Sequence, residues 1–179
     1  VDAFIGADFV VAQLEVPFEA IEQAFKIARK QNITTVLNPA PAIELPKSLL
    51  ELTDIIIPNE TEAELLTGIS INNESDMKET ATYFLDLGIS AVLITLGEQG
   101  TYCAYQEQYK MIPACNVKAI DTTAAGDTFI GAFLSELNKD LSNLESAIRL
   151  ANQASSLTVQ RKGAQASIPT RKEVEAEYN

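Results

Sequence analysis

The sequence predicts an α/β protein with a mostly parallel sheet, and two observations lead to this fold class. Short apolar segments rich in β-branched residues, such as 54–58 and 91–96, alternate along the chain with segments whose apolar residues recur at helical spacing. The strand-like segments also lack regular polar alternation, which is typical of strands buried on both faces of a parallel sheet. We therefore expect a single α/β domain over residues 1–179, with helices on both faces of the sheet.

The first part of the chain predicts two strands, each followed by a helical segment. A buried strand begins at Phe9 and ends near Leu14, and Pro17 then begins a helix whose inner face carries apolar residues at positions i, i+3, i+4 and i+7. The next strand covers residues 34–38 and is ended by two prolines. A short helical segment is expected at residues 49–53.

The middle of the chain repeats this alternation. Residues 54–58 predict a strand, residues 59–68 a helix that ends at a glycine, residues 76–87 a second helix, and residues 91–96 a further buried strand. The pattern then changes, because residues 101–114 show more alternation between apolar and polar side chains. This stretch predicts a hairpin with its turn near residues 106–108.

Residues 119–137 predict a strand end, a turn of small residues and a helix. Residues 119–120 are apolar, residues 122–126 are small, and apolar side chains recur at helical spacing from Asp127 onward. The first N–H groups of such a helix have no partner within the helix, so the turn forms a site for negative charge. Asp127 at this end either caps the helix or accepts the proton of an attacking hydroxyl. Two further helices are expected at residues 144–159 and 169–178.

Composition excludes several classes of function. The formal net charge of −12, from 25 acidic and 13 basic residues, disfavours nucleic acid and anionic membrane surfaces as partners. The chain has no histidine, which excludes His-based triads and most zinc sites. Cys103 and Cys115 lack metal-type spacing and are expected to be reduced in a cytoplasmic protein. Neither a membrane span nor a secretory signal is expected.

Three candidate sites follow predicted strands, and in open α/β sheets ligands bind beyond the carboxyl ends of the strands. Asn59 and Glu62 either hold a hydrated Mg²⁺ or form a helix cap with its capping-box glutamate. Residues 95–100 either let the backbone approach a phosphate or ribose, or form an ordinary glycine turn. The third site is the turn before Asp127. Together the three suggest phosphoryl transfer, in which positioning and electrostatic stabilisation provide most of the catalysis. The chain lacks a Walker-type lysine loop and a Gly-x-Gly-x-x-Gly motif, which disfavours P-loop kinases and dinucleotide dehydrogenases.

These same residues resemble a known family. Residues 121–129, Asp-Thr-Thr-Ala-Ala-Gly-Asp-Thr-Phe, look like the second signature of the ribokinase (phosphofructokinase-B type) carbohydrate kinases, and residues 59–62 resemble the family's Asn-x-x-Glu motif. Residues 38–42, 93–97 and 161–164 resemble its ribokinase branch. The resemblance covers the whole chain but only the C-terminal part of the family's length, so we expect the N-terminal portion and the lid of a ribokinase-like fold to be absent here.

The resemblance implies an ATP-dependent sugar kinase that phosphorylates D-ribose at O5, with Mg²⁺ and K⁺. Asp127 would be the catalytic base, and the backbone of Ala124, Ala125 and Gly126 would form the anion hole. Glu15 would bind the sugar hydroxyls together with Asp127.

For the nucleotide, the resemblance implies that Asn59 binds ATP, that Glu62 acts in the magnesium and phosphate environment, and that Asn152 lies beside the adenine. The remaining nucleotide pocket would be formed by Thr95, Leu96, Gly97, Glu98, Gln99, Gly100 and Gly126. A potassium cage would be formed, several times through backbone carbonyls, by Asp121, Thr123, Thr158, Arg161, Gly163 and Ser167.

Several alternatives stay open at this point. The chain can also belong to another sugar or nucleoside kinase of the same family, to a non-catalytic nucleotide-binding fragment, or to an α/β scaffold that binds no nucleotide. The resemblance further implies a homodimer formed through the lid of the full-length protein. We expect this chain alone to be inactive.

Overall fold

The buried strands expected from the sequence form a sheet in the computed structural model, which describes residues 4–178. Within these residues the sheet has six strands in the order β1 to β6. They are β1 (Phe9–Ala12), β2 (Thr34–Leu37), β3 (Ile55–Ile56), β4 (Ala91–Thr95), β5 (Gly100–Tyr105) and β6 (Gln108–Pro113). Strands β1 to β4 pair in parallel, which confirms the predicted fold class.

The described residues fall into two compact units. The first contains the chain up to Leu96 together with Tyr102–Lys110, and the second contains Gly97–Thr101 together with the chain from Met111 onward. The prediction that residues 1–179 form one domain stays a prediction, and residues 1–3 and 179 of that range lie outside the described part.

In the first unit, helices cover the parallel strands. They are α1 (Phe18–Lys30), α2 (Lys47–Leu50), α3 (Glu60–Thr67) and α4 (Glu74–Asp86). Helix α1 packs on β1 and β2 through Ile21, Phe25 and Ala28, which are the apolar positions expected from the sequence. Helices α3 and α4 pack on β4, whose first four residues are buried. Burial of these apolar side chains is the main favourable term for folding this unit.

In the second unit, two helices form the central packing. Helix α5 (Ala125–Glu136) packs along α6 (Leu144–Thr158), and α7 (Arg171–Tyr178) packs on α6. The small residues that face inward from α6, Ala147 and Ala151, are fully buried and let the helix axes approach closely. Helix α7 adds Val174, which joins a core cluster with Ala154 and Leu157.

Three sequence expectations need correction. Residues 119–120 form no strand, because the N–H groups of Ile120 and Asp121 both donate to the carbonyl of Val159, at 2.7 and 3.1 Å, instead of to a neighbouring strand. Strand β5 does not alternate: it is buried from Gly100 to Ala104, since it lies inside the sheet, and only the edge strand β6 alternates. The helix expected at 49–53 spans Lys47–Leu50, after a proline at its N-cap.

The predicted hairpin turn is confirmed, since Gln106 and Glu107 between β5 and β6 both have positive φ angles, of 48° and 62°. Such a pair is typical of the two-residue turn that joins hairpin strands. Among the described residues, none of the helices combines the length and the apolar character needed to cross a membrane.

Candidate functional site

The turn before α5 presents a helix N-terminus to its surroundings. Ala124 occupies the N-cap position with φ 61° and ψ 10°, and no side chain of the described residues caps the helix there. The Ala125 N–H donates to the Thr122 carbonyl at 3.2 Å, and the Thr128 N–H to the Ala124 carbonyl at 2.9 Å. A helix N-terminus without a side-chain cap can bind an anion through its dipole and through those first N–H groups that have no other acceptor, whereas the Ala125 N–H already bonds Thr122.

The left-handed conformation of Ala124 changes the direction of the chain at the start of α5. A non-glycine residue in this region costs free energy and persists only where the surrounding structure holds it. Asp127 therefore lies in the first turn of the helix and is not its N-cap, and its side chain is exposed in this unit. The cap interpretation of Asp127 is thus wrong, whereas its proposed role as a base stays a prediction.

The loops around Asp121 bring several of the predicted potassium-cage residues together. The Asp121 carboxylate accepts hydrogen bonds from the N–H groups of Thr123 and Gly163, each at 3.0 Å. The bond from Gly163, followed by those from Thr123, holds the pKa of Asp121 at about 2. The carboxylate is consequently ionised at neutral pH and offers oxygen atoms to a cation.

The other members of that set lie in the same unit. The Arg161 N–H donates to the Thr158 carbonyl at 3.0 Å, and the buried Ser167 hydroxyl donates to the Ala164 carbonyl at 2.6 Å. The described residues contain no group of three or more His, Cys, Asp or Glu side chains able to hold a metal. All members of the predicted potassium cage thus lie in the second unit, and their role as cation ligands stays a prediction.

In the first unit, Asn59 and Glu62 form the capping box that the sequence offered as one alternative. The Glu62 N–H donates to the Asn59 side chain, and the backbone and side-chain N–H groups of Asn59 donate to the two Glu62 carboxylate oxygens, all at 2.9 Å. Glu62 is only 5% exposed. Burial raises its pKa, while the two hydrogen bonds from Asn59 oppose that rise.

The same unit brings Thr95 beside this capping box. Asn59 and Thr95 form a parallel bridge, and the Thr95 N–H donates to the Pro58 carbonyl at 2.9 Å. Two of the three candidate segments are thus neighbours at the carboxyl ends of β3 and β4, as expected for a ligand site in a parallel sheet.

Polar side chains continue along this sheet edge toward β1. Gln13 donates to the Asn38 side chain at 2.9 Å, and Asn38 donates to the Ile57 carbonyl at 2.8 Å. The exposed Glu15 follows two residues after Gln13. Sequence reasoning did not single out Gln13 and Asn38 as site residues, although an amide directly after a buried strand is a usable signal for this edge.

The segment from Gly97 to Gly100 has a structural explanation that does not depend on a ligand. Gly97–Gln99 forms a 3-10 turn, and Gly100 begins β5 with φ 113°. A Cβ atom on Gly100 would overlap the Ile112 carbonyl oxygen and lie 2.5 Å from the Ala114 nitrogen. Only glycine fits this close approach of two backbones.

Asn152 also has structural partners. Its amide is buried, accepts a hydrogen bond from the Thr101 hydroxyl at 2.9 Å, and donates to the carbonyls of Ile112 and Pro113 at 3.1 and 3.2 Å. These bonds fix the base of the hairpin to α6. The predicted position of Asn152 beside an adenine stays a prediction.

Comparison with known proteins identifies clear relatives. The model of the pfkB family of carbohydrate kinases matches residues 3–171. A ribokinase of Staphylococcus aureus is 65% identical over 173 residues, which are 97% of this chain and 57% of the relative. A bifunctional ribokinase/ribose-5-phosphate isomerase A of Fructilactobacillus sanfranciscensis is 52% identical, over 96% of this chain and 32% of the relative.

Solved structures agree with these sequence matches. The structure of Arabidopsis thaliana ribokinase complexed with ribose and ATP superposes with a TM-score of 0.91 at 32% identity, and the match covers 98% of this chain and 57% of that one. The chain thus spans a little more than half the length of the S. aureus and A. thaliana proteins.

Proposed function

Because this chain belongs to the pfkB family of carbohydrate kinases, we propose that it forms the nucleotide-binding and catalytic portion of an ATP-dependent ribose kinase. The reaction would transfer the γ-phosphoryl group of ATP to O5 of D-ribose and give ribose 5-phosphate and ADP. The 65% identity to an S. aureus ribokinase supports ribose as the acceptor.

The observation that carries this proposal is the helix N-terminus before α5, which lacks a side-chain cap and has Asp127 in its first turn. Asp127 would take the proton from the O5 hydroxyl as O5 bonds to the γ-phosphorus and the bond to the ADP oxygen breaks. The backbone of Ala124, Ala125 and Gly126 would stabilise the negative charge on the transferred group, with the help of the helix dipole. Glu15 would hold the sugar hydroxyls.

The nucleotide would contact Asn59, residues 95–100 and Asn152. Mg²⁺ neutralises phosphate charge in this reaction class. The buried capping box fits an indirect role for Glu62, since each carboxylate oxygen keeps a lone pair for a metal-bound water beyond its bond from Asn59. We propose that Glu62 holds such a water.

The proposal includes K⁺ in the loops around Asp121, where it would add positive charge next to the anion hole. The ionised Asp121 carboxylate supports this proposal, and together with nearby backbone carbonyls it would supply the oxygen ligands that an alkali cation needs. Thr123, Thr158, Arg161, Gly163 and Ser167 complete the proposed cage. If this is correct, replacing potassium chloride with choline chloride at constant ionic strength lowers turnover.

The function is tested by ADP release from the full-length protein that contains this chain, with ribose, deoxyribose, fructose and a nucleoside as acceptors. We expect the highest kcat/KM for ribose, with the phosphate attached at O5 as identified by NMR. A higher kcat/KM for another acceptor would favour another kinase of the family. ATP binding without transfer to any acceptor would favour a non-catalytic nucleotide-binding module.

The proposal extends to the activity of this chain alone and to the location and oligomeric state of the full-length protein. The 179-residue chain alone would be inactive, because the relatives carry over two-fifths of their length outside the match, and that part would contain most of the sugar-binding groups. The full-length protein would be a cytoplasmic homodimer. The same ADP-release assay on the chain alone and light scattering on the full-length protein test the first and the last of these points.

A further inference from the structure

Helix α6 contacts the first peptide of α5 through one side chain. The Ser155 hydroxyl donates to the Ala125 carbonyl oxygen at 2.9 Å, across the α5–α6 interface and over 30 residues of sequence. Ser155 is half-buried, and both helices lie in the second unit. A serine inside a helix usually bonds a carbonyl of its own preceding turn, as the Ser156 hydroxyl does with the Gln153 carbonyl. Ser155 instead reaches another helix.

This bond acts on one particular peptide unit. The carbonyl of Ala125 and the N–H of Gly126 belong to the same planar trans peptide, in which the C=O and N–H groups point in opposite directions. A donor that fixes the direction of the Ala125 carbonyl therefore also fixes the direction of the Gly126 N–H. A hydrogen bond to the oxygen further polarises the N–H group of that peptide.

Other bonds between α6 and this turn lie outside that peptide. The Val159 carbonyl holds the N–H groups of Ile120 and Asp121 before the turn, and the Thr158 hydroxyl donates to the Thr128 hydroxyl at 3.0 Å after it. These bonds help to maintain the left-handed Ala124, but none of them bonds the peptide that carries the Gly126 N–H. Ser155 is distinguished from them by its acceptor.

We infer that Ser155 is a positioning residue, which orients and polarises the Gly126 N–H toward the phosphoryl group during transfer. This inference rests on the proposed function, because it needs Gly126 in the anion hole. An N–H group that meets charge only as the charge develops contributes to kcat and leaves the KM values unchanged. Removal of a whole oxyanion donor costs about 10²–10³-fold in kcat, and we expect loss of orientation alone to cost about tenfold.

The test compares three variants of the full-length protein in the ADP-release assay. For Ser155→Ala we expect kcat to fall by about tenfold, while the KM values for ATP and ribose stay within about twofold of wild type. Ser155→Thr keeps the hydroxyl and is expected to restore most of kcat. Ser156→Ala is the matched control, because the hydroxyl of this buried neighbour bonds the Gln153 carbonyl on its own helix and the Tyr178 hydroxyl on α7.

The outcomes separate this inference from the proposed function. An active wild type with an unchanged kcat in Ser155→Ala overturns the positioning role and leaves the kinase assignment intact. Equal losses in Ser155→Ala and Ser156→Ala, with matching losses of thermal stability, show a general packing effect and also overturn it. A wild-type protein that transfers phosphate to no acceptor overturns both.

Discussion

The carboxylate of Asp121 accepts a hydrogen bond from the backbone N–H of Gly163 at 3.0 Å, which joins two loops 42 residues apart in the chain. One of these loops leads into the turn before α5, and the other follows α6. Because a carboxylate accepts such bonds best when ionised, this contact makes the link between the two loops dependent on pH.

Stability is predicted to fall in acid in a way that depends on Asp121. Its pKa in the folded protein is about 2, below its usual value of 3.8, so its contribution is present above pH 3.8 and is lost as the pH falls toward 2. The free energy of unfolding should therefore fall more steeply over this interval in the wild type than in Asp121→Asn, as measured by urea denaturation. Parallel curves for the two proteins would show that the bond with Gly163 does not contribute.

Gly100 is predicted to be irreplaceable for steric reasons. Gly100→Ala would force a methyl group onto the backbone of residues 112–114 and is expected to lower the free energy of unfolding by about 3 kcal/mol or more. Gly97→Ala is the matched control, since Gly97 has φ 54° but no atom within 4 Å of its added Cβ, and it should cost only about 1 kcal/mol. Equal losses in urea denaturation would contradict the steric explanation.

A buried hydroxyl offers a way to stabilise the protein. Thr80 on α4 is fully buried, and its hydroxyl has no hydrogen-bond partner among residues 4–178. Thr80→Val removes the unsatisfied group at nearly constant shape and is expected to raise the free energy of unfolding by up to about 1 kcal/mol. Thr53→Val should instead lower the free energy of unfolding by about 1 kcal/mol, because the buried Thr53 hydroxyl donates to the Leu49 carbonyl at 2.9 Å. Destabilisation of both variants in thermal melts would contradict the prediction for Thr80.

Substitution of Glu62 distinguishes its structural role in the capping box from a role in binding Mg²⁺. In the full-length protein, Glu62→Gln keeps an acceptor for the capping box but removes the negative charge, so we expect the Mg²⁺ concentration for half-maximal turnover to rise by about tenfold. Glu64→Gln changes the same residue type on the same helix, where Glu64 accepts from Ser70, and should leave the Mg²⁺ dependence unchanged. An unchanged Mg²⁺ dependence in Glu62→Gln would leave Glu62 with the capping role alone.

Much of the fold could be predicted from local patterns in the sequence. The β-branched runs at residues 55–56 and 91–95 are buried parallel strands, and Gly68 ends α3 in the left-handed conformation, with φ 74°. These outcomes depend on side chains and backbone preferences within a few residues, which are visible in the sequence. The capping box of Asn59 and Glu62 is also a local feature, formed by two side chains three residues apart. The sequence could therefore predict it as an alternative to a Mg²⁺ site.

The features that could not be predicted depend on bonding partners far away in the chain. Residues 119–120 are apolar enough for a strand, but the N–H groups of Ile120 and Asp121 donate to the Val159 carbonyl at the end of α6. Alanine rarely adopts positive φ, so the conformation of Ala124 could not be read from its residue type. Likewise, the sequence shows that Asn152 is polar but not which groups it bonds. In the structure its amide oxygen accepts from Thr101 and its amide nitrogen donates to Ile112, both at the base of the hairpin.

If Asp127 acts as the base of a phosphoryl transfer, Asp127→Asn in the full-length protein removes the group that takes the proton from the acceptor hydroxyl. Turnover with ribose should fall by at least about 10²-fold, while the Kd for ATP stays within about threefold of wild type. Asp140→Asn, a change on the exposed loop between α5 and α6, should leave both quantities unaltered. Near-normal turnover in Asp127→Asn would rule out this role and the mechanism proposed for the phosphoryl transfer.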